Sequence, residues 1–208
     1  MFYQNLKFPK VKRRPFFYTN FVQTLDGKVA VKKDGYWPVG SKKDHQVLLE
    51  LRAYADCLIH GGNLARQFGE QTLKSLNKRS FKALRKKLGK NPQLPYYIVT
   101  KTPQTYSHLR SGNVFAGDLQ TILDGIKTKG LQNGLVEGGP TLLGSFLKEN
   151  LIDEVFLTIA PKIYGSHNNT TLTLVEGILF SPLKTKKLKL VSYKNIKDEI
   201  FLRYKVEA

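Results

Sequence analysis

Leu135-Val136-Glu137-Gly138-Gly139-Pro140-Thr141-Leu142-Leu143 packs a short apolar run, a carboxylate, two glycines and a proline into one segment. The run reads as a strand ending at Glu137, with a helix starting at Pro140. A proline suits the first helical position because the N–H it lacks would have no partner there. Leu142, Leu143, Phe146 and Leu147 recur at helical spacing and give that helix one buried face. Gly138 and Gly139 have no Cβ, so a ligand can approach their backbone closely. A strand–Gly-Gly–helix turn also aims unpaired N–H groups and the positive end of a helix dipole at one point, which suits a phosphate. A tight turn between two core elements would use the same residues, so the motif alone leaves both readings open.

Around this turn the composition describes one globular domain. The chain has 208 residues, 41% of them hydrophobic, and no composition break asks for a second domain. A single domain over 1–208 is expected, with 1–14 as a basic arm carrying Lys7, Lys10, Lys12, Arg13 and Arg14. The lone cysteine, Cys57, excludes an internal disulfide and fits a reducing compartment. No apolar run reaches the roughly 18 residues of a membrane span, and Met1-Phe2-Tyr3-Gln4-Asn5 lacks a signal-peptide core, so a cytoplasmic protein is expected.

Charge is the odd feature: 34 Lys and Arg stand against 16 Asp and Glu, a formal +18. Such a field attracts polyanions. The lysines are spread over both halves, however, without an RNP-type aromatic motif, zinc spacing or helix-turn-helix pattern. A solvated basic surface is favoured, and nucleic-acid binding is the alternative. His45, His60, His108 and His167 stand singly, outside metal-ligand spacing, so no metal is expected.

Taken in order, the segment from Phe16 to Val22 reads as a strand, and Thr24-Leu25-Asp26-Gly27-Lys28 as a tight turn. Val29-Ala30-Val31 is a short strand, and Lys32-Lys33-Asp34-Gly35 another turn. Trp37-Pro38-Val39-Gly40-Ser41 leads into a helix with Ser41 as N-cap and Asp44 completing a capping box. A buried strand covers 56–60, closed by Gly61-Gly62-Asn63. The segment 64–90 reads as one or two lysine-rich surface helices. Strands at 95–100 and 113–115, a helix around 119–130, and a strand at 155–160 follow. Residues 162–171 read as a Gly/Asn-rich loop, and 186–193 and 199–206 as a closing antiparallel pair. Alternating strands and helices with an all-β end predict an α/β fold with a mixed sheet.

Four segments together carry a resemblance: Thr24-Leu25-Asp26-Gly27-Lys28, Leu51-Arg52-Ala53-Tyr54-Ala55-Asp56, Val136-Glu137-Gly138-Gly139-Pro140-Thr141, and Leu151-Ile152-Asp153-Glu154 with Ile159-Ala160-Pro161-Lys162-Ile163-Tyr164-Gly165. The chain resembles the reductase domain of the riboflavin-biosynthesis deaminase/reductase, in the dihydrofolate-reductase-like superfamily. The resemblance implies a mixed, mostly parallel sheet of about eight strands flanked by helices, with antiparallel C-terminal strands, in a homodimer. It also implies NADPH as hydride donor to a ribosylamino-pyrimidine phosphate or related heterocycle.

Carried over by position, Gly138, Gly139, Pro140 and Thr141 resemble the pyrophosphate turn. Glu137 resembles the residue facing the substrate, and Asp26 the active-site aspartate, with Thr24 beside it. Arg52 and Arg66 resemble arginines directed at the substrate phosphate. Trp37, Gly40 and Ser41 sit where the family has a segment beside the nicotinamide, with Pro38 as a departure. Gly61 and Gly62 resemble a loop under the cofactor. Thr100 and Lys101 are the positions for an adenosine 2′-phosphate, which favours NADP over NAD. The stretch after Gly62 lacks the family's Asp-x-Pro, so the substrate is the open part. A dihydrofolate or pterin reductase on the same fold is one alternative. It needs a carboxylate on the first helix, and spacing from Trp37 reaches Lys42 with Asp44 beyond it. A phosphate- or nucleic-acid-binding module on an inactive reductase scaffold is the second.

Overall fold

In the computed structural model of the chain, residues 1–32, 37–109 and 113–207 are described. The Lys33-Asp34-Gly35 part of the second predicted turn lies outside them. The strands are β1 (Phe16–Thr24), β2 (Ala30–Val31), β3 (Cys57–Gly61), β4 (Tyr96–Val99), β5 (Val114–Gly117), β6 (Asn133–Val136), β7 (Glu154–Ala160), β8 (Thr171–Leu172), β9 (Leu188–Ile196) and β10 (Glu199–Val206). The helices are α1 (Lys42–Tyr54), α2 (Gly62–Leu76), α3 (Arg79–Lys87), α4 (Leu119–Thr128) and α5 (Pro140–Lys148). Eight of the strands form a mixed, mostly parallel sheet with antiparallel C-terminal strands, flanked by helices. Contacts group the chain into two compact units, Met1–Phe17 with Leu49–Gly139, and Tyr18–Leu48 with Pro140–Ala208.

In the first unit the strand order is β5-β4-β3-β6, all parallel. The first four residues of β3, the first three of β4 and all of β6 are buried, as expected of apolar runs covered on both faces. Gly134 in β6 is a packing requirement: a Cβ there would stand 2.8 Å from the Phe17 ring and 3.0 Å from Cys57 Sγ. The C-terminal end of α1 is finished by Arg85, a fully buried arginine from α3. Its Nη1 donates to the carbonyls of Arg52, Ala53 and Ala55, and its Nε donates to Asn91 O at 2.6 Å. They lie at the helix end, where carbonyls run short of helical donors; Arg52 O also accepts from Ala55 N–H at 3.2 Å. Asp56 Oδ2 accepts from the backbone N–H groups of Gln132 and Asn133, joining the α1 exit to the start of β6. The N-terminal arm is tied down at its beginning: Phe2 is buried, and Glu50 accepts from the backbone N–H groups of Phe2 and Tyr3.

In the second unit the order is β1-β7-β10-β9, with β1 and β7 parallel and the other neighbours antiparallel. The small pair β2–β8 ends the segment read from sequence as a plain loop. Two 3₁₀ turns, Pro103–Leu109 in the first unit and Pro182–Lys184 in the second, were not foreseen. Ser41 caps α1 as expected, its Oγ accepting from the N–H groups of Lys43 and Asp44. The reciprocal half of the capping box is absent. Ser41 N–H and Oγ–H instead donate to Glu199 on β10, at 3.0 and 2.6 Å.

Asp44 is thereby released from capping and turns inward. It is buried, its Oδ1 has no hydrogen-bond partner among the described residues, and Gly40 has no room for a Cβ because of Asp44 Oδ2. Burial raises the carboxyl and Glu199 adds to the effect, while a hydrogen bond with Thr158 opposes it, leaving Asp44 at about 6. The folded chain therefore holds this proton more tightly than the unfolded chain does. Stability falls as pH rises from the ordinary carboxylate range through about 6, by roughly 3 kcal/mol at about 1.4 kcal/mol per pH unit. Asp44→Asn should raise the thermal midpoint at pH 7 by roughly 6–12 °C and leave it little changed at pH 4. Thermal unfolding at the two pH values checks this, and a lower midpoint at pH 7 contradicts it.

Candidate functional site

The turn after β6 carries the strongest electrostatic feature of the first unit. Glu137 N–H donates to Ile59 O at 2.8 Å, so the residue leaves the strand with its backbone still held by β3. Its side chain meets Arg52, in the last turn of α1. Arg52 Nε donates to Glu137 Oε1 at 2.8 Å and Nη2 to Oε2 at 2.5 Å, a bidentate pair with both side chains buried. The fork meets the carboxylate through Nε and Nη2, which leaves Nη1 as the outer nitrogen. Burial alone would raise the Glu137 carboxyl, but the Arg52 charge and hydrogen bonds, with a smaller contribution from His60, bring it down to about 2. Burial works against the Arg52 charge as well, and Glu137 more than restores it.

Behind the pair stands His60 on β3, with 1% of its surface exposed. Its Nε2 lies 3.3 Å from Glu137 Oε2 and its Nδ1 2.8 Å from the Tyr96 hydroxyl. Sequence reading treated His60 only as a lone histidine and did not single out Tyr96. The signal available was position: His60 immediately precedes Gly61-Gly62, and β3 pairs with β4 in the register Leu58↔Tyr96 and His60↔Ile98.

Past Glu137, Gly138 and Pro140 are buried and Gly139 is half-buried. A Cβ built on Gly139 meets nothing within 4 Å, so no internal packing demands glycine there. Pro140 begins α5, nine residues long, whose first-turn N–H groups have no helical acceptors. Thr141, the next residue, is exposed. Gly62 differs: its Cβ position lies 2.8 Å from the Tyr106 hydroxyl and 3.3 Å from Thr100 Oγ1, so packing alone accounts for a glycine. Thr100 Oγ1 accepts from Thr102 N–H, while Lys101 and, on α2, Arg66 are exposed.

The second unit holds the other predicted residues. Asp26 is the anchor of two loops. Its Oδ1 accepts from Thr24 Oγ1 at 2.5 Å and from Tyr164 N–H at 3.2 Å, and its Oδ2 accepts from Gly165 N–H at 2.8 Å. The Thr24 hydroxyl leads these bonds in holding the Asp26 carboxyl below its ordinary range. The Asp-Gly turn is present too, Gly27 having φ +79° and donating to Thr24 O at 2.9 Å. Trp37 is 46% exposed, with its ring edge-on to Tyr164 at 6.1 Å. Pro38, the departure in this segment, is an anchor: its carbonyl accepts from Lys162 Nζ at 2.6 Å and from the Tyr164 hydroxyl at 2.8 Å. Lys42, reached by the pterin-reductase spacing, is exposed; Asp44 and Glu50 are the buried acids of α1.

The first unit thus brings Arg52 and Glu137 together, and the second brings Thr24 and Asp26 together with Tyr164 beside Trp37. No helix among the described residues is long and apolar enough to cross a membrane.

The family model described as the RibD C-terminal domain matches residues 15–202. The chain is 25% identical to a 2,5-diamino-6-ribosylamino-4(3H)-pyrimidinone 5′-phosphate reductase of Archaeoglobus fulgidus, over 80% of this chain and 89% of that protein. Its fold matches the crystal structure of a pyrimidine reductase-like protein from Corynebacterium diphtheriae, with a TM-score of 0.70, 22% identity, and coverage of 93% of this chain and 92% of that one. It also matches Schistosoma mansoni dihydrofolate reductase, with a TM-score of 0.58 at 16% identity over 93% of this chain and all of that one. With the strand-turn-helix at Glu137 and most of the chain matched in order, this protein belongs to the RibD C-terminal domain family of reductases.

Proposed function

We propose that this chain transfers a hydride from NADPH to a ribosylamino-pyrimidine phosphate of the riboflavin pathway. The observation that carries the proposal is the Arg52–Glu137 pair immediately before the Gly138-Gly139-Pro140 turn, in which a Cβ on Gly139 would meet open space. When bound, NADPH supplies the hydride. The backbone N–H groups of Gly138, Gly139 and Thr141, with the dipole of α5 beginning at Pro140, would hold its pyrophosphate. Arg52 would offer its outer nitrogen to the substrate phosphate while Glu137 keeps the guanidinium oriented. Glu137 and Asp26 are both held ionised near neutral pH, so they act as hydrogen-bond acceptors and orienting charges, and the accompanying proton is assigned to water. A preference for NADPH over NADH, from Thr100 and Lys101, belongs to the same proposal. So does a cytoplasmic homodimer, which the exposed Leu188, Leu190, Val191 and Tyr193 of β9 support.

A dihydropterin substrate is the second reading. One observation favours it: α1 carries a buried carboxyl, Asp44, able to hold a proton near pH 6.

Titration with NADPH and NADH, followed by Trp37 emission, should give saturable quenching with NADPH the tighter ligand. Turnover of the pyrimidine ribosyl-phosphate but not of dihydropterins then separates the two readings, and no response to either nucleotide refutes both. Gly139→Val should weaken NADPH at least tenfold by crowding the pyrophosphate, about 1.4 kcal/mol. Its thermal midpoint should stay unchanged, since the added side chain meets open space. Unaltered NADPH affinity in that variant would remove the turn from the cofactor site. Glu137→Gln should leave NADPH affinity within about twofold and lower turnover at least tenfold, through loss of a charge-assisted contact. Binding and steady-state rates on the same preparation check it, and a collapse of NADPH affinity would reverse the assignment.

A further inference from the structure

His60 and Tyr96 lie outside every role described so far, yet they complete the environment of Glu137. The donors and acceptors allow one arrangement. An ionised carboxylate only accepts, so the His60 nitrogen facing Glu137 Oε2 carries the hydrogen. In a neutral ring Nδ1 is then an acceptor, and the Tyr96 hydroxyl at 2.8 Å must donate to it. Burial, the largest influence on His60, favours that neutral ring over the opposing pull of Glu137. Burial likewise pushes the Tyr96 hydroxyl well above its ordinary range, so it keeps its proton. The rings stand at 88° with centroids 4.9 Å apart, each blocking rotation of the other. The chain of contacts runs Tyr96 O–H to His60 Nδ1, His60 Nε2–H to Glu137 Oε2, and Glu137 to the Arg52 fork.

We infer that His60 and Tyr96 are positioning residues: by holding Glu137 Oε2, the oxygen that also takes Arg52 Nη2, they fix the direction in which Arg52 presents its outer nitrogen to a phosphate-bearing ligand. Without His60, Glu137 would keep only the guanidinium as partner, and the two could turn together about the arginine side chain. The arrangement governs capture of an anionic group, not hydride delivery. The inference rests on the proposed role of Arg52 toward a substrate phosphate, and is tested in a way that separates it from the choice of pyrimidine.

The experiment uses the full chain with three probes: ribose 5-phosphate binding, NADPH binding, and the ¹⁵N resonances of the His60 imidazole. Wild type should show His60 as a single Nε2–H tautomer and should bind ribose 5-phosphate. His60→Leu should weaken ribose 5-phosphate roughly tenfold, the equivalent of one charge-assisted hydrogen bond, with NADPH affinity retained. His60→Gln, whose amide can donate to Glu137 and accept from Tyr96, should recover most of that loss. Tyr96→Phe keeps the ring shape and guards against misfolding of the leucine variant. It should mix the two His60 tautomers and weaken ribose 5-phosphate severalfold, and thermal unfolding should show it folded. An Nδ1–H tautomer in wild type, no binding of ribose 5-phosphate to wild type, or equal binding by wild type and the folded Tyr96→Phe variant would each overturn the inference. If wild type binds ribose 5-phosphate as expected yet does not reduce the pyrimidine phosphate, the substrate reading fails and the positioning role stands.

Discussion

A buried ion pair is expensive, and the Arg52–Glu137 pair is buried on both sides. Removing a guanidinium and a carboxylate from water costs several kcal/mol each, recovered only with close geometry and satisfied hydrogen bonds. The surrounding fold supplies both. Arg85 closes the carbonyls at Arg52, Ala53 and Ala55, so the α1 end cannot fray away from Glu137. Asp56 holds the start of β6 at Gln132 and Asn133, and Ile59 O holds Glu137 N–H. Each of these contacts places one end of the pair by backbone, leaving little for side-chain freedom to undo. A hydrophobic pair of similar size would stabilise this turn as well or better. The retention of charge here therefore argues for a ligand that uses it.

Carboxylates in this chain take opposite characters according to what surrounds them. Glu137 and Asp26 accept from strong donors and sit below their ordinary range, whereas Asp44 has no partner for one oxygen among the described residues and is pushed up to about 6. The first two suit orientation, and the third alone suits holding a proton. That division was hidden in sequence because hydrogen-bond supply, not residue type, decides it.

Much of the scaffold was legible. Strand and helix assignments around the turn at 137–141 follow from apolar periodicity and from Pro140, and the closing antiparallel pair from its alternation. Three kinds of feature were not. The reciprocal half of the capping box at Ser41 and Asp44 is missing because Ser41 N–H found a nonlocal acceptor, Glu199. Arg85 reads as one more cation in a lysine-rich helix, yet it is buried because carbonyls at the end of α1 converge on it. Arg52 was expected to face an anion in a ligand, and its first anion is Glu137, 85 positions away in sequence. Periodicity reports which face of an element is apolar. It carries no information on which polar groups meet across elements.

Glycine makes the same point with consequences for the proposed cofactor site. Gly40, Gly62 and Gly139 are indistinguishable as letters, and family position marks all three for the cofactor. In the structure Gly40 is required by Asp44 Oδ2 and Gly62 by the Tyr106 hydroxyl, whatever else either residue contacts. Gly139 has no such internal reason, since its Cβ direction is empty and its backbone precedes a helix start. A position where folding does not ask for glycine, next to a carboxylate that folding need not have charged, is where function has the strongest claim on the sequence. The turn at Glu137-Gly138-Gly139-Pro140 is that position, and the constraints at Gly40 and Gly62 are satisfied by packing alone.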